Sequence, residues 1–223
     1  MKWVPGTFVR RLNRFVAEVE APADNFAHVP SSGRMRELLL PGSNVLLKDK
    51  GVGEWKYRYQ LCFVQTGSLW VSIDSLLPNR LVAQALQNRW SLGLPPYSSF
   101  RREVSFEGSR FDFLLEGPQP VVVEVKSVTL VEAGWAMFPD APTERGVKHL
   151  RELIQLRGKG YLCFVLFVVQ REDAQRFKPN EGAHREFAEV LREARACGVE
   201  LRAYDCRVTP PEVSLRREIP VDF

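Results

Sequence analysis

The chain has 223 residues, 45% of them hydrophobic and 26% charged, with 31 Lys and Arg against 27 Asp and Glu for a formal net charge of +4. That balance suits a soluble globular fold and excludes a disordered chain. The longest apolar run, residues 161–169, is about half of what a membrane-crossing helix needs, and Cys62, Cys163, Cys197 and Cys206 lack the close pairs of a zinc site or a disulfide framework.

The first third reads as short strands broken by turn chemistry. Extended runs fall at 8–20, 27–29, 44–48, 57–65 and 69–73, with Pro, Gly, Ser, Asp and Asn clustered at 21–25, 30–33, 41–43 and 50–53. Five short strands predict a small β-barrel of the OB type, and a sandwich fits almost as well. Residues 1–80 hold 11 Lys and Arg against 7 Asp and Glu, whereas residues 81–223 hold 20 of each. The excess positive charge therefore lies on this unit, where Arg10, Arg11, Arg14, Arg34 and Arg36 cluster. Such a surface attracts a phosphate backbone, and a solvated basic face is the equally weighted alternative. Trp3, Phe8, Phe15, Trp55, Tyr57 and Tyr59 are candidates to stack on bases, with more of them expected in the core than on a platform. His28, before a proline, reads as structural.

Pro78 opens a helical segment over 79–90, and Ser91-Leu92-Gly93-Leu94-Pro95-Pro96 reads as a linker. The domains are expected at 1–77 and 97–223, with 78–96 as helix and linker. Beyond the linker come extended segments at 100–106, 110–116 and 121–125, then a helix over 143–157 with Thr143 as N-cap. A strand at 161–169 buried on both faces, a helix over 184–197 and a strand at 199–206 complete the chain. Strands followed by alternating helix and strand predict an α/β domain, a mixed sheet flanked by helices.

Charges interrupt two of these strands. Asp112 sits between Phe111 and Phe113, and Val121-Val122-Val123-Glu124-Val125-Lys126 ends in two charged residues. Alternation puts Glu124 and Lys126 on one face and Val121, Val123 and Val125 on the other, while the turn at 117–120 allows the two strands to be neighbours. Two carboxylates and a lysine suit metal-assisted phosphodiester cleavage: oxygen ligands for Mg²⁺, and a cation for the charge on phosphate. An ion pair closing the end of a sheet is the bland alternative, and for an isolated match it would prevail. A paired-carboxylate glycosidase would explain neither Lys126 nor the basic barrel.

An Asp on one strand and E-x-K on the next resembles the restriction-endonuclease-like superfamily, although Phe111 stands where the motif has Pro. Almost the whole chain resembles the sugar fermentation stimulation protein A family. The marks are Arg14-Phe15, His28-Val29-Pro30-Ser31-Ser32-Gly33-Arg34-Met35, Asn79-Arg80-Leu81, Tyr97-Ser98-Ser99 and Arg102-Glu103-Val104. They continue in Ser109-Arg110-Phe111-Asp112-Phe113, in Glu124-Val125-Lys126-Ser127-Val128-Thr129-Leu130, and in the stretch from Phe138-Pro139-Asp140 through Arg145-Gly146-Val147-Lys148-His149-Leu150. Ser31-Ser32 departs from the family's H-x-P-N-T-G segment. The resemblance implies an N-terminal OB-fold, a C-terminal nuclease domain, DNA binding, divalent-metal nuclease activity and a link to sugar use.

The resulting expectation is a cytoplasmic Mg²⁺-dependent endonuclease, with Mn²⁺ able to substitute, acting on DNA with RNA left open. The alternative is a non-catalytic DNA-binding regulator. Asp112, Glu124 and Lys126 form the core of the expected site, and Glu103 is either a further metal ligand or a surface partner of Arg101 or Arg102. Arg10, Arg11, Arg14 and Arg34 are candidate phosphate contacts. So are Arg145 and His149, read with Glu152 as a helix face opposite the apolar stripe. No leader and no membrane span are expected, and a homodimer is left open.

Overall fold

A computed structural model describes residues 2–51, 53–106 and 108–223; Val52, inside the turn expected at 50–53, lies outside them. The first unit is built from β1 (Lys2–Asn13), β2 (Val16–Glu20), β3 (Phe26–His28), β4 (Asn44–Asp49), β5 (Tyr59–Thr66) and β6 (Leu69–Ser72). The hydrogen-bonded order is β3-β2-β1-β4-β5-β6, and β3 also pairs with β5 through Ala27↔Tyr59 and His28↔Gln60. That last pairing closes five strands into an OB barrel and decides against the sandwich. Phe8, Val19, Val45, Leu47, Tyr59 and Leu61 fill the interior, and Met35, Leu38 and Leu39 join the same core.

The run read as one strand over 8–20 is a hairpin. It folds at Arg14-Phe15 without glycine or proline because the Asn13 side-chain oxygen accepts the Phe15 N–H at 2.9 Å, a local bond that itself makes a turn. On β5, Leu61, Cys62, Phe63 and Val64 are all buried. Leu61 and Val64 belong to the barrel core, whereas Cys62 and Phe63 pack on the second unit, so this strand has two dry faces.

Helix α1 (Leu77–Gln87) leads out of the barrel, with Leu81, Val82, Ala85 and Leu86 buried in the core shared with the second unit. The segment read as a linker is docked rather than free: Leu92 is 1% exposed, and the Arg202 guanidinium lies against Gly93. There follow β7 (Ser99–Phe106), β8 (Ser109–Glu116), β9 (Val121–Val128), β10 (Leu130–Glu132), β11 (Trp135–Phe138), α2 (Glu144–Gly158), β12 (Leu162–Val169), β13 (Arg176–Pro179), α3 (Arg185–Ala196), β14 (Glu200–Thr209) and β15 (Glu212–Ile219). The main sheet runs β15-β14-β12-β9-β8-β7, parallel across β9, β12 and β14 and antiparallel at both edges; β10, β11 and β13 form a small second sheet.

Helices α2 and α3 cover one face of the main sheet, burying Val147, Leu150, Leu153, Phe187 and Leu191 against Val122, Val165 and Phe167. On the opposite face α1 and the barrel pack over Val121, Val123 and Val125. The central strands are consequently apolar on both sides, which is why β12 is an unbroken hydrophobic run. Thr143 caps α2 as expected, its hydroxyl accepting the Gly146 N–H at 3.1 Å. Three cysteines are buried thiols and Cys197 is exposed; none is bonded to another. No helix of the described residues is long and apolar enough to cross a membrane.

Candidate active site

The site forms where β8 and β9 part. Their recorded pairing runs from Leu115↔Val121 to Phe113↔Val123 and stops, and just beyond it the Asp112 carboxylate accepts the Val125 N–H at 2.7 Å. A side chain thus takes the place of a strand partner, fixing Asp112 at the fork. Its other oxygen accepts the Asn79 side-chain N–H at 2.5 Å, so α1 holds Asp112 from the barrel side. Burial, with the repulsion of Glu124 added, pushes Asp112 up from its ordinary 3.8 to about 6.

Glu124 is 4% exposed. Its Oε1 accepts Lys126 Nζ at 2.6 Å and His149 Nδ1 at 2.7 Å, while Oε2 is buried with no hydrogen-bond partner among the described residues. Burial opposes ionisation of Glu124, but Lys126 and His149 together outweigh it and hold the carboxylate below its usual range. Lys126 is nearly buried, with 12% of its side chain exposed.

Behind Glu124 runs a directed chain. Arg145 Nε donates to His149 Nε2 at 3.3 Å, and an arginine can only donate, so the proton of the ring sits on Nδ1 toward Glu124. His149 is 3% exposed and tilts against Phe111, with ring centroids 5.4 Å apart. This corrects the surface placement read from the sequence. His149 lies four residues before Leu153 and seven before Leu156, inside the apolar stripe of α2, and that spacing was there to be read. It serves to orient Glu124 and is not available to a phosphate backbone.

Asp112, Glu124 and Lys126 face a cavity of about 410 Å³ lined also by Arg14, Ser31, Ser32, Asp140 and Arg145. The barrel therefore supplies one wall. Its 31–35 loop meets Asp140, whose carboxylate accepts the Met35 N–H at 3.2 Å, with Gly33 packed so closely that an added Cβ would lie 2.5 Å from Asp140 Oδ2. Asn79 and Asp140 were not singled out as site residues from their chemistry; both occur only among the motif marks of the resemblance.

The remaining candidates separate. Glu103 lies between the partners of Phe111 and Phe113 on β7, but its backbone φ is +54° and its exposed carboxylate pairs with Arg110 at 3.4 Å. It does not line the cavity and sits at the surface, but its partner is Arg110, whereas Arg101 pairs with Glu116 and Arg102 lies over the Phe113 ring. Arg10 is an exposed partner of Glu18 at 2.7 Å. Arg11 is spent on the fold: its guanidinium donates to the carbonyls of Ser31, Gly33 and Arg34 and also to those of Asn13 and Arg14, tying β1 to the 31–34 loop. Burial lowers its pKa. Arg14 faces the cavity, and Arg34 and Arg36 line an adjoining cleft with Arg14.

Elsewhere Glu144, His184 and Glu186 bring ligand-type atoms within 4.8 Å of one another. His184 Nδ1 accepts the Thr143 N–H at 3.2 Å, so Nε2 carries the proton and faces Glu144 at 3.5 Å. That tautomer has no lone pair left for a cation, and Glu144 and Glu186 instead lie in the first turns of α2 and α3, where negative charge suits the helix dipole.

Two domain models match the chain, the N-terminal OB domain over residues 9–73 and the "Sugar fermentation stimulation protein RE domain" over residues 76–212. Similar proteins include the "Sugar fermentation stimulation protein homolog" of Acetivibrio thermocellus, 45% identical over 98% of this chain and 96% of the relative. The protein of the same description from Desulforamulus reducens is 44% identical over 99% and 92%. A solved structure described as "The structure of Pyrococcus Furiosus SfsA in complex with Ca2+" superposes with a TM-score of 0.91 at 30% identity, covering 100% of this chain and 96% of that one.

Proposed function

We propose that this chain, which belongs to the sugar fermentation stimulation protein family, is a divalent-metal-dependent nuclease that hydrolyses phosphodiester bonds. The observation carrying this reading is the buried, partnerless Oε2 of Glu124 beside Asp112 and Lys126. A carboxylate oxygen left dry and unbonded is costly, and so is the repulsion that raises Asp112; a hard cation, which Asp112 and Glu124 would hold, would relieve both. The residues present thus fit Mg²⁺, with Mn²⁺ as a substitute, and the Ca²⁺ in the description of the Pyrococcus furiosus neighbour agrees with a divalent ion in this fold.

Bound there, the metal supplies Lewis acidity and a water of lowered pKa. Every other part of the chemistry belongs to side chains of this chain. Lys126 stabilises charge developing on the phosphate, and Arg14 and Arg145 enter the cavity from the barrel and from α2 to neutralise flanking phosphates. Asn79 and the Val125 N–H fix Asp112, while the Arg145–His149 chain fixes Glu124. A non-catalytic DNA-binding regulator would have no use for this support around two carboxylates. Incubating the purified chain with DNA or RNA in Mg²⁺, Mn²⁺ or EDTA tests the proposal. Cleavage should require metal and fall to background in Asp112→Asn and Glu124→Gln; a variant that cuts at the wild-type rate refutes it.

A further inference from the structure

The barrel carries a second concavity, of about 1100 Å³, and the structure sorts the aromatic residues around it. Phe8 and Tyr59 fill the barrel core, and Trp3 packs on Phe63 with ring centroids 5.6 Å apart. The other three, Phe15, Trp55 and Tyr57, line the groove, with Phe15 48% and Trp55 59% exposed. Large rings left in water forgo the gain of burial, so a face that gathers three of them is suited to a partner with flat apolar surfaces. The same groove is cationic. Lys48, Lys50 and Lys56 line it, Lys50 Nζ standing 4.9 Å from the centre of the Trp55 ring and Lys56 Nζ 5.6 Å from that of Tyr57. Asp49, the one acidic lining residue among the described residues, is taken by Arg58 at 2.9 and 2.8 Å.

An arginine-lined cleft lies between the groove and the active site. Asn13 lines both the groove and this cleft, and Arg14 lines both the cleft and the active-site cavity. The 13–15 turn is a ridge shared by all three. We infer that this groove binds unpaired nucleotides, stacking bases on Phe15, Trp55 and Tyr57 with Lys48, Lys50 and Lys56 at the phosphates. The substrate class is therefore nucleic acid with a single-stranded segment leading to the scissile phosphate, a point that rests on the nuclease reading, whereas the binding itself does not. A blunt duplex hides its base faces in its own stack and would use only the charges.

The test uses full-length protein in EDTA, with labelled oligodeoxythymidylate, oligouridylate, an abasic oligonucleotide of equal length and a blunt duplex as probes. The oligothymidylate or the oligouridylate should bind at least about tenfold more tightly than the abasic chain. Trp55→Ala should weaken that binding roughly five- to hundredfold, the range of one lost base stack, leaving the duplex and the melting temperature unchanged. Trp55→Phe should retain most of the affinity. An effect on the thymidylate assigns DNA as the ligand, and one on the uridylate alone assigns RNA. Equal binding of the abasic chain, or an effect of Trp55→Ala on the duplex only, overturns the proposal. In a separate assay with Mg²⁺ in place of EDTA, cleavage of a tailed duplex, compared with a blunt one, should lose its advantage in Trp55→Ala. If the wild type binds as expected and cuts neither duplex, the nuclease reading fails and the groove stands.

Discussion

Asp112 should make the metal-free protein less stable as the pH rises through about 6. Its carboxyl titrates near 3.8 ordinarily and about 6 in the fold. The folded state therefore binds this proton more tightly than the unfolded chain. The stabilisation is complete below about 3.8 and is lost as pH rises through the folded value. At 1.36 kcal/mol for each tenfold difference in proton affinity, the full span is about 3 kcal/mol. Glu124 acts in the other direction and lower, since its depressed value contributes stability that is lost only as pH falls below its ordinary 4.5. Between about pH 4.5 and about pH 7 burial also shifts Glu37 upward from 4.5 and His28 downward from 6.5, so Asp112 is read from the difference between the wild type and Asp112→Asn. Urea unfolding in EDTA across that window should show the wild type losing about 2 kcal/mol of that span relative to Asp112→Asn, whatever constant offset the substitution brings through its altered bonds to Asn79 and Val125. Mg²⁺ should then raise the wild-type midpoint more at about pH 7 than at about pH 5, because proton and metal compete for one carboxylate. Parallel pH profiles for the two proteins in EDTA would refute the reasoning.

Lys126→Ala should lower the cleavage rate about a hundredfold or more and also destabilise the metal-free protein by about 3 kcal/mol, since it strands a buried carboxylate; a folded variant that retains its rate would leave Lys126 a structural ion pair only. Arg11→Ala should cost about 2–4 kcal/mol in chemical denaturation, because it abandons several carbonyls of the 31–34 loop, whereas Arg14→Ala should leave the midpoint in place and weaken oligonucleotide binding with a shallower salt dependence. Gly33→Ala should displace Asp140 and lower the melting temperature by an amount equivalent to about 1–2 kcal/mol; an unchanged melting curve would show that the seam yields freely.

Much of the nuclease-like domain was legible in the sequence because its signals are local. The apolar stripe of α2, the nine-residue run containing β12, and charges at the end of an otherwise apolar β9 each lie within one element, and period and alternation translate them directly into faces. Asp112, Glu124 and Lys126 were singled out that way as candidates. Strands β10, β11, β13 and β15 escaped, being short or polar; β10–β11 and β14–β15 are tight hairpins with little apolar alternation, and β13 reaches β11 from about forty residues away.

The rest depended on pieces of chain that meet only when folded. Barrel closure rests on Ala27 and His28 reaching Tyr59 and Gln60. Arg11 and Arg14 are three residues apart on one basic stretch, yet Arg11 ends among loop carbonyls and Arg14 in the cavity, because the 31–34 loop folds over one and not the other. Asn79 and His149 meet the two carboxylates from different helices. Composition and periodicity state which residues want to be dry or wet; which charge finds which partner is decided by tertiary packing, since a hydrogen bond needs its donor within about 3 Å and sequence spacing carries no such distance between elements.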